Sequence, residues 1–315
     1  MHYALVFSTS ARPTCIESDY ASKLDASTWL ADLVGLSAFL QPYSNVNWLD
    51  PGRAAEIMCH PDKSFTAGHT NNNPNFQALR DAAATRYLDV NIVPTNKRQK
   101  KLLIADMDST IITSESLDDL AEMAGIGDEV AAITQRSMSG EIDFENALLD
   151  RVAMLRGQSD QLFSSLIKVA ELTSGAIVLV QTMRANGAKC YLISGGFDFM
   201  TRPVAALCGF HGHHANHLHV DDGKILGTLK TPVLDRKAKA TYLSHYCTIH
   251  GIDIEETVTI GDGANDLAML KAAGMGVAFA GKPILRDKIS IQLNHTDLRG
   301  LLYLQGYHKD NFIPG

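Results

Sequence analysis

The chain has 315 residues, 45% of them hydrophobic and 20% charged, the balance of a globular protein of about two domains. That composition excludes a disordered chain, a collagen-like repeat and a coiled-coil rod, and the apolar runs fall far short of the ~20 residues that span a bilayer. A formal charge of −7 leaves no general basic footprint for nucleic acid, so an anionic substrate must meet local positive charge.

The chain opens on a short apolar run, Tyr3–Phe7, with no basic stretch before it, which argues against a secretory signal. Helical patterning is expected over Ala26–Leu40 and Phe76–Tyr87, with a polar loop, His69-Thr-Asn-Asn-Asn-Pro74, between them. Residues 1–93 are read as a small α+β unit without a chemical motif, its role open between regulation, dimerisation and packing. Residues 94–101 are read as a linker. The basic run inside it, Lys97-Arg98-Gln99-Lys100-Lys101, is expected to be solvated, with a phosphate or nucleic-acid patch as the alternative. Five scattered cysteines, Cys15, Cys59, Cys190, Cys208 and Cys247, lack CxxC spacing, which fits reduced thiols and a cytoplasmic location.

From Leu102 the pattern changes to short apolar runs that alternate with helical segments. Leu102–Ala105 runs into Asp106, Ala188–Ile193 into Ser194-Gly-Gly196, Thr257–Ile260 into Gly261-Asp-Gly263, and Gly276–Phe279 into Ala280-Gly-Lys282. Strands alternating with helices predict an α/β fold with a parallel sheet, whose ligands bind beyond the carboxyl ends of the strands. The polar residues just named all fall on that edge. Between the first two runs, residues 113–182 keep a helical period, with Leu117, Leu120, Ala121 and Ala124 at spacings of 3 and 4. This stretch is too long for one crossover helix and is read as a helical cap inserted over the catalytic edge.

Asp106 and Asp108 are two apart beyond a strand end, so both can face one site while Met107 turns to the core. One carboxylate can act as nucleophile and the other as general acid and base. Asp262 would add an oxygen ligand suited to Mg²⁺, and Asn265 and Asp266 begin the helix that follows. Ser194, Gly195 and Gly196 offer a hydroxyl and bare backbone N–H groups to an anion, a plain strand-to-helix turn being the alternative. Lys239 can balance a phosphoryl group against the carboxylates, although a lone lysine is more often a surface residue.

In this order, Asp106-Met-Asp-Ser-Thr110, Ser194-Gly-Gly-Phe-Asp198, Lys239 and Gly261-Asp-Gly-Ala-Asn-Asp266 resemble the four motifs of the haloacid dehalogenase superfamily of phosphotransferases. With Glu115 and Ala280-Gly-Lys-Pro283, the stretch 102–301 is similar to the phosphoserine phosphatases within it. The resemblance implies a Rossmann-like core with a helical cap in residues 102–315, and a Mg²⁺-dependent phosphatase acting on O-phospho-L-serine in serine biosynthesis. It implies that Asp106 takes the phosphoryl group, that Asp108 protonates the leaving oxygen and then activates water, and that Asp106, the Asp108 backbone carbonyl and Asp262 hold Mg²⁺. Ser194, Gly195, Lys239 and Asn265 would bind the phosphate, with Gly196 and Asp266 supporting. Glu115 would receive the ammonium group, Arg151 the carboxylate, and Met138 and Phe144 would close over the site. The implied partner is a small-molecule substrate, with no nucleic acid or membrane and with homodimerisation open.

Asp108 separates this pattern from transport ATPases, which carry Thr there. Phosphomutases also keep the second Asp, so transfer to an alcohol other than water stays an alternative, as does a non-catalytic phosphoamino-acid sensor. The cluster His211-Gly-His213-His214-Ala-Asn-His217-Leu-His219 invites a Zn²⁺ reading. Its spacing lacks a catalytic Glu, and a solvated, partly strand-forming segment is the expectation.

Overall fold

The computed structural model of the chain describes residues 2–10, 33, 35, 37–61, 67–138, 141–234 and 236–315; the side chains of residues 67–69, 137, 138 and 144 lie outside that description. Most of the helix expected over 26–40 is likewise outside it. Two sheets organise the rest. Strands β1 (Tyr3–Ser8), β2 (Asn47–Asp50), β3 (Ala54–Cys59) and β4 (Asp89–Pro94) form an antiparallel sheet in the order β2-β3-β1-β4. Strands β5 (Leu102–Ala105), β6 (Lys189–Phe197), β7 (Gly212–Asn216), β10 (Thr257–Gly261), β11 (Met275–Phe279) and β12 (Ile291–Leu293) form a six-stranded sheet. Its order is β12-β11-β10-β5-β6-β7 and every pairing is parallel. A hairpin, β8 (Leu218–Asp221) and β9 (Lys224–Leu229), stands apart. The fold is α/β, as the sequence predicts.

Both faces of the N-terminal sheet are covered, which is why Tyr3–Phe7 reads as a continuous apolar run. Because side chains alternate along a strand, Leu5 and Phe7 pack with Phe76, Leu79 and Ala83 of helix α1 (Pro74–Ala84), while Ala4 and Val6 join the large core that holds Leu302 and Tyr303. Helix α1 begins where Asn73 accepts the Phe76 N–H and Pro74 supplies a preset backbone angle.

The two sheets meet at their edges, β4 against β12, through side chains that stand in for a strand ladder. The Asn91 amide donates to the Gln292 carbonyl at 2.8 Å and accepts from the Gln292 N–H at 2.9 Å. The Asp89 carboxylate accepts the backbone N–H groups of Asn294, His295 and Thr296. An edge strand left bare would expose a row of unpaired backbone groups. The basic run is the second seam, and the expectation of a solvated segment is corrected for Arg98 and Lys100, while Gln99 and Lys101 stay exposed. The Arg98 side chain is only 10% exposed, lies 2.6 Å from Glu56 of β3, and also donates to the Leu304 carbonyl. Lys100 is buried and donates to the Glu255 carbonyl, Lys97 pairs with Asp253 and Glu255, and Lys101 pairs with Glu256. These cations are spent on the chain's own acids and carbonyls.

The insertion leaves the core at Ile112 and returns at Leu172, where the two residues bridge and Thr113 N–H donates to the Glu171 carbonyl. It contains α2 (Ser116–Met123), α3 (Gly127–Met138), α4 (Phe144–Met154) and α5 (Gln161–Val169). The next helix, α6 (Ala176–Ala185), packs on the parallel sheet with Leu179, Val180 and Met183 buried. The β8–β9 hairpin clamps the insertion from the core side, with Gly157 and Gln158 exchanging backbone hydrogen bonds with Ile225.

Candidate active site

Strand order reverses at β5: the chain runs outward through β6 and β7, then returns to the other side through β10, β11 and β12. Such a switch point leaves a crevice beyond the carboxyl ends of the central strands. Asp106 follows β5, and its carboxylate accepts the Met107 N–H at 2.8 Å, while Met107 is fully buried in the core. A tight loop over 107–111, closed by Ile112 N–H to the Met107 carbonyl, puts Ser109 in the left-handed region at φ 52°. Asp262 follows β10, and Asp266 begins helix α9 (Leu267–Ala272), its side chain accepting the Gly263 N–H. A Cβ on Gly261 would lie 2.4 Å from the Asp266 carboxyl carbon, so the acid sits there only because that residue has no side chain.

The buried side chains of Asp106, Asp262 and Asp266 each offer a carboxylate oxygen, and these oxygens lie within 4.8 Å of one another. Lys239, at the start of helix α8 (Ala238–His250), places its buried ammonium 2.6 Å from Asp106 and 2.5 Å from Asp266. Burial and the neighbouring Asp266 hold the Asp106 carboxyl well above the usual range, against the pull of Lys239. Burial pushes Asp262 up to about 6, with Lys282 opposing it. Burial alone would lower Lys239, but Asp106 and Asp266 raise it above the ordinary lysine range. Three crowded carboxylates and one ammonium leave excess negative charge among oxygen donors. A hard divalent cation fits that donor set.

Asp108 faces a different wall of the same crevice. Its carboxylate accepts the Ser116 N–H at 2.8 Å and the Ser194 hydroxyl at 3.0 Å. Burial raises it, helped by the Glu115 charge and opposed by the hydrogen bonds from Ser116 and Ser194. A carboxyl held toward its protonated form is suited to giving up a proton and taking it back.

Ser194, Gly195 and Gly196 are expected just beyond a strand end, offering a hydroxyl and N–H groups to an anion at a helix start. Strand β6 instead runs on through Phe197 before helix α7 (Asp198–Cys208), with its register against β7 broken between Ile193 and Phe197. The Asn216 amide of β7 holds the Gly195 carbonyl at 2.8 Å, bridging that break. The Ser194 hydroxyl also accepts the Gly196 N–H. A Cβ on Gly196 would come within 2.8 Å of the Asp108 carboxylate and 3.1 Å of the Ser116 and Ser194 hydroxyls, so bare backbone is required there.

At the mouth, Glu115 precedes helix α2 and accepts the Ser109 hydroxyl at 2.8 Å. Lys282, which had been given no role, places its ammonium 3.2 Å from Asp262 and 3.5 Å from Glu115. Arg151 of α4 is mostly buried, donates to the Ala147 carbonyl and the Thr134 hydroxyl, and lies 3.8 Å from Asp118. Burial lowers its pKa while Asp118 and Glu115 raise it. Asn265 is half-buried on the Asp262 loop. The side chains of Met138 and Phe144 lie outside the described residues. Lys282 and Asp118 were the residues sequence reasoning missed. The Gly-Lys-Pro string after β11 was a signal for the first, but nothing in it names a partner 167 positions upstream.

His213 and His214 lie on β7 and His219 on β8, with His211 and His217 just outside the strands, and the rings have other partners. His211 accepts the Cys190 N–H, His213 bonds Thr201, His214 bonds Tyr246, His217 pairs with Asp198, and His219 bonds Thr228.

Comparison with known proteins matches residues 103–271 to the haloacid dehalogenase-like hydrolases. The phosphoserine phosphatase of Methanocaldococcus jannaschii is 37% identical over 206 residues, 65% of this chain and 98% of the relative. That of Haemophilus influenzae is 40% identical over 206 residues, again 65% of this chain. The match spans 66% of the Haemophilus protein, 65% of one from Archaeoglobus fulgidus and 56% of one from Mycobacterium tuberculosis. A hydrolase of this family from Salmonella enterica superposes over 98% of this chain and 99% of its own, with TM-score 0.82 and 27% identity. A phosphoserine phosphatase structure with a phospho-aspartyl intermediate analogue covers 65% of this chain and 98% of its own, at TM-score 0.61 and 38% identity. An aspartate pair beyond the first strand of a parallel sheet, a buried lysine and a distal acidic loop thus accompany a sequence match over more than half of the chain, and the protein belongs to the haloacid dehalogenase-like hydrolase family.

Proposed function

We propose that the protein is a Mg²⁺-dependent phosphatase that hydrolyses O-phospho-L-serine to L-serine and phosphate through an aspartyl phosphate on Asp106. The observation that carries this reading is the division of labour between the two aspartates. Asp106 points at Lys239 and the acidic cluster, and Asp108 points at Ser116 and Ser194 with its carboxyl raised. Identity of 36–40% with curated phosphoserine phosphatases supports the substrate.

In this mechanism the Asp106 carboxylate attacks phosphorus while Asp108 gives its proton to the departing serine oxygen. The Asp108 carboxylate then takes a proton from water as that water attacks the acyl phosphate, and Asp106 is restored. Lys239 follows the negative charge, held on Asp106 and Asp266 before reaction and available to the phosphoryl oxygens during it. The Ser194 hydroxyl and the backbone N–H of Gly195 line the wall that receives those oxygens, and the Gly196 N–H holds that hydroxyl in place. Asp106, Asp262 and the Asp108 backbone carbonyl would hold Mg²⁺, with Asp266 orienting Lys239 and the 261–263 turn; when bound, the ion supplies positive charge to the phosphoryl group. Phosphoserine also carries an ammonium and a carboxylate. Glu115 and Arg151 are the complementary pair at the mouth, and the arginine fork can take both carboxylate oxygens. A cytoplasmic setting belongs to the same reading and is supported by the free thiols of Cys59, Cys190, Cys208 and Cys247.

The test is phosphate release from a panel of phosphomonoesters with Mg²⁺ and with chelator. Phosphoserine is expected to be the best substrate, and only with the ion. Preference for an ester lacking the ammonium and carboxylate would refute the assignment.

A further inference from the structure

We propose that Lys282 is a specificity-determining residue that competes with the substrate's ammonium group for Glu115. The competition rests on the phosphoserine reading for the substrate, but the contact that suggests it is internal to the chain. Glu115 already receives an alkylammonium: Lys282 Nζ lies 3.5 Å from its Oε1. The other ammonium of the site, Lys239, is spent on Asp106 and Asp266.

The backbone delivers Lys282 to this point by a defined route. Ala280, in the left-handed region at φ 42°, turns the chain after β11, and its N–H donates to the Leu293 carbonyl. The Lys282 N–H then donates to the Asp262 carbonyl at 2.9 Å, and its ammonium returns to the Asp262 carboxylate at 3.2 Å. One residue is thus held twice by Asp262 while its head reaches on to Glu115. Pro283 follows at once as the first residue of helix α10 (Pro283–Lys288), so the stem cannot drift along the loop.

Contact with Asp262 is the shorter of the two, and it needs no help from Glu115. The Glu115 contact is the one that gives way, because both partners are about half exposed, 50% for Lys282 and 44% for Glu115. In the empty site the Lys282 ammonium keeps Glu115 oriented together with the Ser109 hydroxyl. When a substrate ammonium arrives, two cations face one carboxylate, and Lys282 falls back on Asp262. The cost of that displacement falls only on ligands that bear an amine. A half-exposed pair of this kind is worth about 2- to 5-fold in an equilibrium constant.

Removing the lysine charge also weakens every phosphate ester, since positive charge is lost beside Asp262. A ratio between two esters cancels that common loss. The experiment therefore compares kcat/KM for O-phospho-L-serine with that for the phosphate ester of 3-hydroxypropanoate, which lacks only the amine, in the parent, Lys282→Met, Lys282→Gln and Lys282→Arg proteins. The preference for phosphoserine is expected to rise about 2- to 5-fold in the Met and Gln variants, through KM, and to stay at the parent value in Lys282→Arg. An unchanged or reduced preference in the two neutral variants overturns the competition, and a general structural role would slow both esters alike. Absence of phosphoserine turnover in the parent would instead refute the functional reading, so the two failures are distinguishable.

Discussion

Replacing Asp262 by Asn should stabilise the protein while abolishing its metal-dependent activity. Burial raises the Asp262 carboxyl from 3.8 to about 6 in the folded chain, and its side chain is only 8% exposed. The unfolded chain releases this proton near 3.8 and the folded chain near 6, so between those values the folded state binds more protons. Stability therefore falls as pH rises through that window, and the loss is complete above about pH 6. The difference amounts to about 3 kcal/mol at neutral pH. Asn carries no charge at any pH and escapes it. The contact with half-exposed Lys282 is forfeited, which costs within about 1 kcal/mol, leaving a net gain of about 2 kcal/mol. Urea unfolding with chelator present should show that gain at pH 7.5 and about half the carboxylate's share of it at pH 5. Added Mg²⁺ should stabilise the parent and leave the variant unmoved. A variant no more stable than its parent at pH 7.5, or one whose gain is independent of pH, would refute the reasoning.

Other consequences follow from the same geometry. Asp108→Asn keeps the hydrogen bonds in reach but removes the transferable proton, so kcat should fall roughly 10²–10⁴-fold with KM little changed; steady-state rates within tenfold of the parent would exclude proton transfer by this residue. Arg98→Met leaves Glu56 buried without its cation and should cost about 3–5 kcal/mol in urea unfolding, with Arg98→Met/Glu56→Gln recovering part of it; a loss below about 1 kcal/mol would mean that the seam is not held by this pair. Arg151→Ala should raise KM for phosphoserine by about tenfold or more relative to phosphoethanolamine, which lacks the carboxylate; equal effects on both esters would remove Arg151 from carboxylate recognition.

The parallel sheet and its catalytic edge were legible because each strand is a short apolar run that ends abruptly in acidic or small residues, and those endings share one edge by topology alone. The N-terminal sheet was less legible. Asn47–Asp50 and Asp89–Pro94 mix polar and apolar residues, and three of the polar ones, Asp50, Asp89 and Asn91, are buried because they bond the other unit. A long-range partner of that kind leaves no local period to read. The same holds for Arg98, which looks like a linker cation until Glu56 is placed beside it, and for Lys282, whose partners Asp262 and Glu115 come from two other loops. Ser194-Gly-Gly196 reads as an anion-binding segment between a strand end and a helix start, with a plain turn as the alternative; here Gly196 makes room for Asp108 inside a continuing strand.

The central claim is that Asp106 becomes phosphorylated during turnover. Borohydride reduction of the enzyme quenched while hydrolysing phosphoserine, followed by peptide mass spectrometry, reads this directly, since an acyl phosphate on aspartate is converted to homoserine. The account predicts homoserine at position 106 alone, dependent on substrate and absent from Asp106→Asn. Rapid turnover with no mark at 106, or with the mark on another carboxylate, would contradict it.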